Sequence, residues 1–160
     1  MAGQRQLRSP QLPSPLDSVA WASTPLGLPS EWPESLLTAV RTLLPSRLPI
    51  MICWGDDLVQ IYNEAFAPLL GDKHPAALGQ CVADCWANEW PRIKPIIDEL
   101  LAGEELLSDQ ALPLFLNRDG YVEETYWNIY PNLILGADNR RQGLVLSAMD
   151  DTTGWCRTVG

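Results

Sequence analysis

WGDDLVQIYNEAFAPLLGDKHPAALG, from Trp54 to Gly79, decides how the rest of the chain is read. An apolar run ends at Trp54-Gly55, and Asp56-Asp57 forms an acidic turn. Leu58 to Tyr62 is a second short run that leads into a helix starting near Asn63, whose side-chain oxygen suits an N-cap. Phe66, Leu69 and Leu70 supply the inner face of that helix, and Gly71 stops it. A Lys73-His74-Pro75 corner follows. Strand, turn, strand, short helix and corner make one wall and the lid of a small pocket. The stretch holds no catalytic constellation.

Upstream, Arg47 to Trp54 reads as the first strand, and its continuous apolar run implies burial on both faces. Before it, Ser30 is an N-cap candidate, and Pro33 falls in the first turn of a helix. Leu36, Leu37, Val40, Leu43 and Leu44 lie on one face of that helix, and Pro45 ends it. The face has two readings that the sequence leaves open: packing on its own domain, or a dimer seam through Leu36, Leu37, Val40 and Leu44. Residues 1–17 are rich in Gln, Ser, Pro and Arg without periodicity and read as a disordered or loosely ordered segment.

Downstream, residues 76–86 read as short helical turns. Trp90-Pro91 opens a longer helix with Ile93, Ile96, Ile97, Leu100 and Leu101 on one face and Gly103 at its end. Leu106 to Leu116 is strand-like, and Pro113 places it at an edge or a bulge. Asn117-Arg118-Asp119-Gly120 is a turn between strands. Tyr121 to Tyr130 carries aromatics at both alternating sets of positions, so alternation alone does not say which face is inside. Gly136 to Arg141 is a turn, and Gly143 to Met149 the last strand. This order of elements predicts an α+β fold: a five-stranded antiparallel sheet with helices on one face and an extra N-terminal helix.

One domain suits 160 residues, at roughly 100–200 residues per domain. The net charge of -9 opposes nucleic acid, which needs clustered Lys and Arg, and an anionic membrane surface. No run approaches the ~18 apolar residues of a membrane span. Arg5 and Arg8 are not followed by the apolar stretch of a secretion signal. Four cysteines do not make a dense disulfide framework. A cytoplasmic protein with free thiols is the expectation.

Several stretches in order carry a resemblance. They are Trp21-Ala22-Ser23-Thr24-Pro25-Leu26-Gly27, Trp32-Pro33-Glu34-Ser35-Leu36, Trp54-Gly55, Tyr62-Asn63-Glu64-Ala65, Leu70 to Pro75, and Leu116 to Trp127. On these the chain resembles a PAS domain, and more narrowly the N-terminal PAS domain of bacterial sensor histidine kinases. The resemblance covers residues 18–153, helical extension included, and leaves residues 154–160 as a short tail. Asp151-Thr152-Thr153 resembles the step that closes many PAS domains. The resemblance implies a sheet that encloses a pocket with its helices, and a part in two-component signalling by ligand binding, homodimerisation or both. It implies an output domain or partner such as a histidine kinase. The tail has no heptads, so the chain either works through a separate partner or is a piece of something longer.

Tyr62, Phe66, Trp86, Trp90, Ile97, Trp127 and Leu146 are the residues this fold would gather around a small apolar or aromatic ligand, with Tyr126, Asn128 and the indole N–H groups as polar handles. A filled core without a cavity is the competing reading, and with it a ligand-free module that only assembles signalling proteins. The sequence disfavours haem and flavin. His74 is the only histidine and sits in a corner that reads as structural, and the Asn-Cys-Arg motif of cysteinyl-flavin photochemistry is missing. Cys81 and Cys85 make a poor zinc set with one histidine. Glu123 and Glu124 point to opposite faces of a strand and cannot act on one atom. No enzyme is expected.

Overall fold

In the computed structural model, the described residues are 12, 16–102, 112–118, 120–136 and 138–150. Residues 1–11, the Gly103 stop, the start of the third strand before Leu112, Asp119, the Asp151-Thr152-Thr153 exit and the 154–160 tail lie outside them.

Among the described residues five antiparallel strands form one sheet in the order β2-β1-β5-β4-β3. They are β1 (Ile50–Trp54), β2 (Val59–Tyr62), β3 (Leu112–Arg118), β4 (Tyr121–Leu135) and β5 (Arg141–Asp150). Pro113 lies on β3, at the edge of the sheet, where a missing ladder donor costs least. Among the described residues four α-helices accompany the sheet: α1 (Glu34–Leu43), α2 (Ala67–Leu70), α3 (Val82–Cys85) and α4 (Trp90–Leu101). The class is α+β, as the order of elements predicts.

β1 is buried on both faces for two separate reasons. Met51 and Cys53 face the interior cavity. Ile52 and Trp54 point the other way and are equally buried. The element against β1 on that side is α1, whose Leu36, Leu37, Val40 and Leu44 are at most 7% exposed. This decides between the two readings of the α1 face. These leucines and Val40 pack on their own domain and are covered by it. α1 begins at Glu34 behind Pro33, not at Ser30, which lies in a short 3-10 turn.

The segment before α1 belongs to the core. Leu16 is fully buried, and its carbonyl accepts from Trp21 Nε1 at 2.9 Å. Order therefore begins before residue 18, the expected start of the domain. Trp21 meets Trp32 edge to face at 4.9 Å. Gly79, at φ +83, leaves room for Thr24 and Trp21 where a Cβ would sit 2.8 Å from Thr24 Cγ2. The last residue of the opening stretch is thus where the N-terminal segment docks.

The helix expected near Asn63 begins at Ala67, with Phe66 at its N-cap, so Asn63 closes the turn before α2 and does not cap it. Its Oδ1 accepts from the Ile50 and Phe66 amides, both at 3.1 Å. Its Nδ2 faces the Leu44, Ser46 and Leu48 carbonyls at 3.2, 3.2 and 2.9 Å. One buried amide thereby fixes the α1–β1 loop to the start of the β2–α2 turn.

Candidate functional site

A cavity of about 90 Å³ lies between the sheet and α4. β1 contributes Met51 and Cys53, β4 contributes Trp127 and Ile129, and β5 contributes Leu144, Leu146 and Ala148. Alternation puts these side chains on one face of the sheet. Phe66 and Trp86 close one side, and Ile93, Ile96 and Ile97 of α4 form the roof. The spacing of those isoleucines is that of one helix face.

The polar members of the wall are already bonded within the protein. Gln60 is fully buried. Its Oε1 accepts from Trp86 Nε1 at 2.9 Å, and its Nε2 donates to the Ala77 carbonyl at 3.1 Å. Trp127 Nε1 donates to Thr125 Oγ1 at 2.8 Å. Lys73 donates to the Cys85 carbonyl at 2.9 Å and lies 4.9 Å from the Trp86 ring centroid, a cation–π arrangement on the same indole. Among the described residues no buried side-chain nitrogen or oxygen lacks a partner. The cavity therefore offers a guest dispersion and shape, not hydrogen bonds.

Of the residues expected around a ligand, the structure brings Phe66, Trp86, Ile97, Trp127 and Leu146 together. Four others are elsewhere. Tyr62 is buried behind Phe66, at 5.9 Å between ring centroids, and its hydroxyl lies 2.7 Å from His74 Nδ1. It closes the corner of the opening stretch and does not line the cavity. Trp90 faces a separate outer groove. Tyr126 and Asn128 occupy the opposite alternation of β4 from Trp127, so they point away, and Tyr126 donates to Glu124. The strand thus turns Thr125, Trp127 and Ile129 inward. The indole N–H groups of Trp86 and Trp127 are not handles, because each already has a partner.

Met51, Cys53, Leu58, Gln60, Val82, Ile129, Leu144 and Ala148 line the cavity without having been singled out. For Leu144 and Ala148 the signal was present, since they share the alternation of Leu146. For Gln60 it was a lone amide inside an apolar strand. Its partners lie 17 and 26 residues away, beyond any local pattern.

His74 is outside the cavity lining, in keeping with a structural corner. Cys81 lines the outer groove, while Cys85 is buried. Among the described residues no cluster of His, Cys, Asp and Glu could hold a metal.

Burial pushes the Cys53 thiol up to about 12 from 9.0, and neighbouring Cys85 adds to the effect. Burial raises the Cys85 thiol and the Tyr62 phenol as well. A thiol held neutral is a poor nucleophile. Above pH 9.0 the unfolded chain has released a proton that folded Cys53 keeps until about 12, so stability falls as pH rises through that window. We expect the urea midpoint to drop from about pH 8 to about pH 11, and Cys53→Ala to flatten part of the drop. Identical slopes for both proteins would remove Cys53 from that balance.

Comparison of the sequence with family models and with curated proteins gives no match. Solved structures do match in fold. One is an RNA-binding light-oxygen-voltage receptor, with a TM-score of 0.52 and 19% identity over 79% of this chain, which spans 36% of that one. A second is a variant of RsLOV, with a TM-score of 0.53 and 14% identity, covering 73% of this chain and 68% of that one. A third is a light-oxygen-voltage domain studied with a flavin analogue, with a TM-score of 0.52 and 12% identity, covering 76% of this chain and 90% of that one. The architecture is that of the PAS and light-oxygen-voltage domains. At these identities the likeness is one of fold.

Proposed function

We propose that this chain is a sensory PAS domain that holds a small, uncharged, apolar or aromatic molecule in the cavity under its sheet. Occupancy is passed to a second copy or to a signalling partner, for which a histidine kinase output is the candidate. The observation that carries the reading is the cavity itself, roofed by half-buried isoleucines and walled by Phe66, Trp86 and Trp127. A packed domain fills such space unless something else does, because voids forfeit dispersion contacts.

Size narrows the guest. Pockets for drug-sized ligands run to roughly 300–1,000 Å³, so about 90 Å³ does not accept a flavin or a haem as it stands. An engineered apolar cavity of about 150 Å³ takes benzene or xenon, and the guest here belongs at or below that scale. No catalysis is part of the reading. The proposed setting is the cytoplasm, which suits buried free thiols. No helix of the described residues is long and apolar enough to cross a membrane.

For the partner surface the proposal moves from α1 to the outer face of β4 and β5. Val122, Tyr130 and Met149 stand out there, each more than half exposed. They share one alternation, since Met149 pairs with Asn128. Light scattering on the wild type tests the homodimer, and a monomer at every concentration removes it.

The ligand is tested by a thermal-shift screen of small neutral aromatics and alkanes, with native mass spectrometry of what co-purifies. A rise in melting temperature is expected for guests up to about benzene in size. No shift and no co-purifying mass would leave the ligand-free interaction module, which the exposed sheet face would serve.

A further inference from the structure

The cavity has a neighbour. Outside it lies a groove of about 440 Å³ between the β1–β2 turn and α4, walled by Trp90 and rimmed by Asp56, Asp57, Asp84 and Asp98. Among the described residues only Leu58 and Ile97 line both hollows. The partition between groove and cavity at that point is therefore a single layer made of these two side chains.

We propose that the groove is the vestibule of the cavity and that Leu58 and Ile97 are its gate, admitting small neutral molecules. The inference rests on the cavity being a binding site. Three observations point to this wall. The first is Leu58 itself, with φ 51, a left-handed backbone that a branched side chain adopts at a cost. Its amide donates to the Gly55 carbonyl at 3.1 Å, and its carbonyl accepts from Val82 at 3.0 Å. The backbone is held from both sides, so the side chain is the moving part.

The second is α4. Pro95 sits within it and removes the donor that would bond the Pro91 carbonyl. Ile93, Ile96 and Ile97 are only half-buried. A helix turn short of one hydrogen bond and of buried contacts is among the first to open.

The third is charge. The rim carries four carboxylates against Lys94, which is already paired with Asp98 at 2.7 Å. Such a mouth repels anions. A cation drawn to the rim finds no free polar partner inside, and an unpaired charge does not enter an apolar cavity. Rim and interior together select uncharged molecules.

The test uses the full chain with labelled methyl groups and benzene as the probe, its exchange rate read by magnetisation-transfer NMR. Ile97→Ala is expected to speed exchange about tenfold. Ile93→Ala also enlarges the cavity but does not border the groove, so its exchange rate should stay within about threefold of wild type. If Ile97→Ala does not fold, Ile97→Val should show the same ordering against Ile93→Val with smaller steps. Equal or faster exchange in the Ile93 variant would overturn the gate and leave the cavity reading standing. No shift of any cavity methyl with saturating benzene or xenon in the wild type would overturn both.

Discussion

Asn63→Ala is expected to lower the unfolding free energy by about 3–5 kcal/mol, measured by urea titration. The side chain is 3% exposed and ties the α1–β1 loop to the residues that follow β2. Truncation removes the acceptor for the Ile50 amide and one acceptor for the Phe66 amide. It also strips a donor from three carbonyls at Leu44, Ser46 and Leu48. Each net bond contributes only about 0.5–1.5 kcal/mol, but a buried group left unmatched costs about 1–3 kcal/mol. The isosteric Asn63→Asp separates this account from simple packing. It keeps the volume and turns the donor Nδ2 into an oxygen that faces those carbonyl oxygens. It should therefore cost at least as much as alanine at neutral pH. A mild Asn63→Asp beside a severe Asn63→Ala would sink the hydrogen-bond argument.

Asn63 also marks what was legible in the sequence. Its bond to the Phe66 amide was readable, because such a turn is local and joins residues three apart, although the helix itself begins only at Ala67. Its grip on the α1–β1 loop spans up to 19 residues, and no spacing rule reports that. The same divide runs through the rest of the chain. β1 as a doubly buried strand followed from its unbroken apolar run. The α1 face was equally clear as a face, yet an apolar stripe looks the same whether a sheet of its own chain or a second copy covers it. Only the arrangement of β1 beneath it decides.

β4 shows a different obstacle. Alternation from Tyr121 to Tyr130 left its two faces equal. The strand continues to Leu135. β3 pairs with it only as far as Trp127, while β5 pairs from Trp127 onward. Pro131 thus lies where the β3 side of β4 has no ladder in the described residues, and its missing amide costs little there. Read through to Leu135, the strand sets Ile129, Pro131 and Leu133 beside Trp127, against Asn128, Tyr130, Asn132 and Ile134 on the other face. The outer face stays mixed, and what settles the orientation is the cavity that Trp127 and Ile129 line.

Trp127→Ala tests the cavity and the core together. The indole is 2% exposed, lies 6.0 Å from the Phe66 ring and lines the existing void. Removing a large buried aromatic costs about 3–5 kcal/mol, and more where the surroundings cannot collapse. Collapse is limited here, since the residue sits on a strand paired on both sides at that point. The new space merges with a void already present, so the variant should gain a site shaped for the ring it lost. Indole in excess should then raise the melting temperature of Trp127→Ala well above its effect on the wild type, because a guest that binds only the folded chain stabilises it by mass action. Thr125 Oγ1, which accepts from the Trp127 indole in the wild type, would accept the N–H of the guest. Benzene, lacking that donor, should rescue less. A variant that loses the expected stability and gains nothing from indole would show that the space collapses when emptied. The wall around Trp127 would then be core packing that cannot hold a guest.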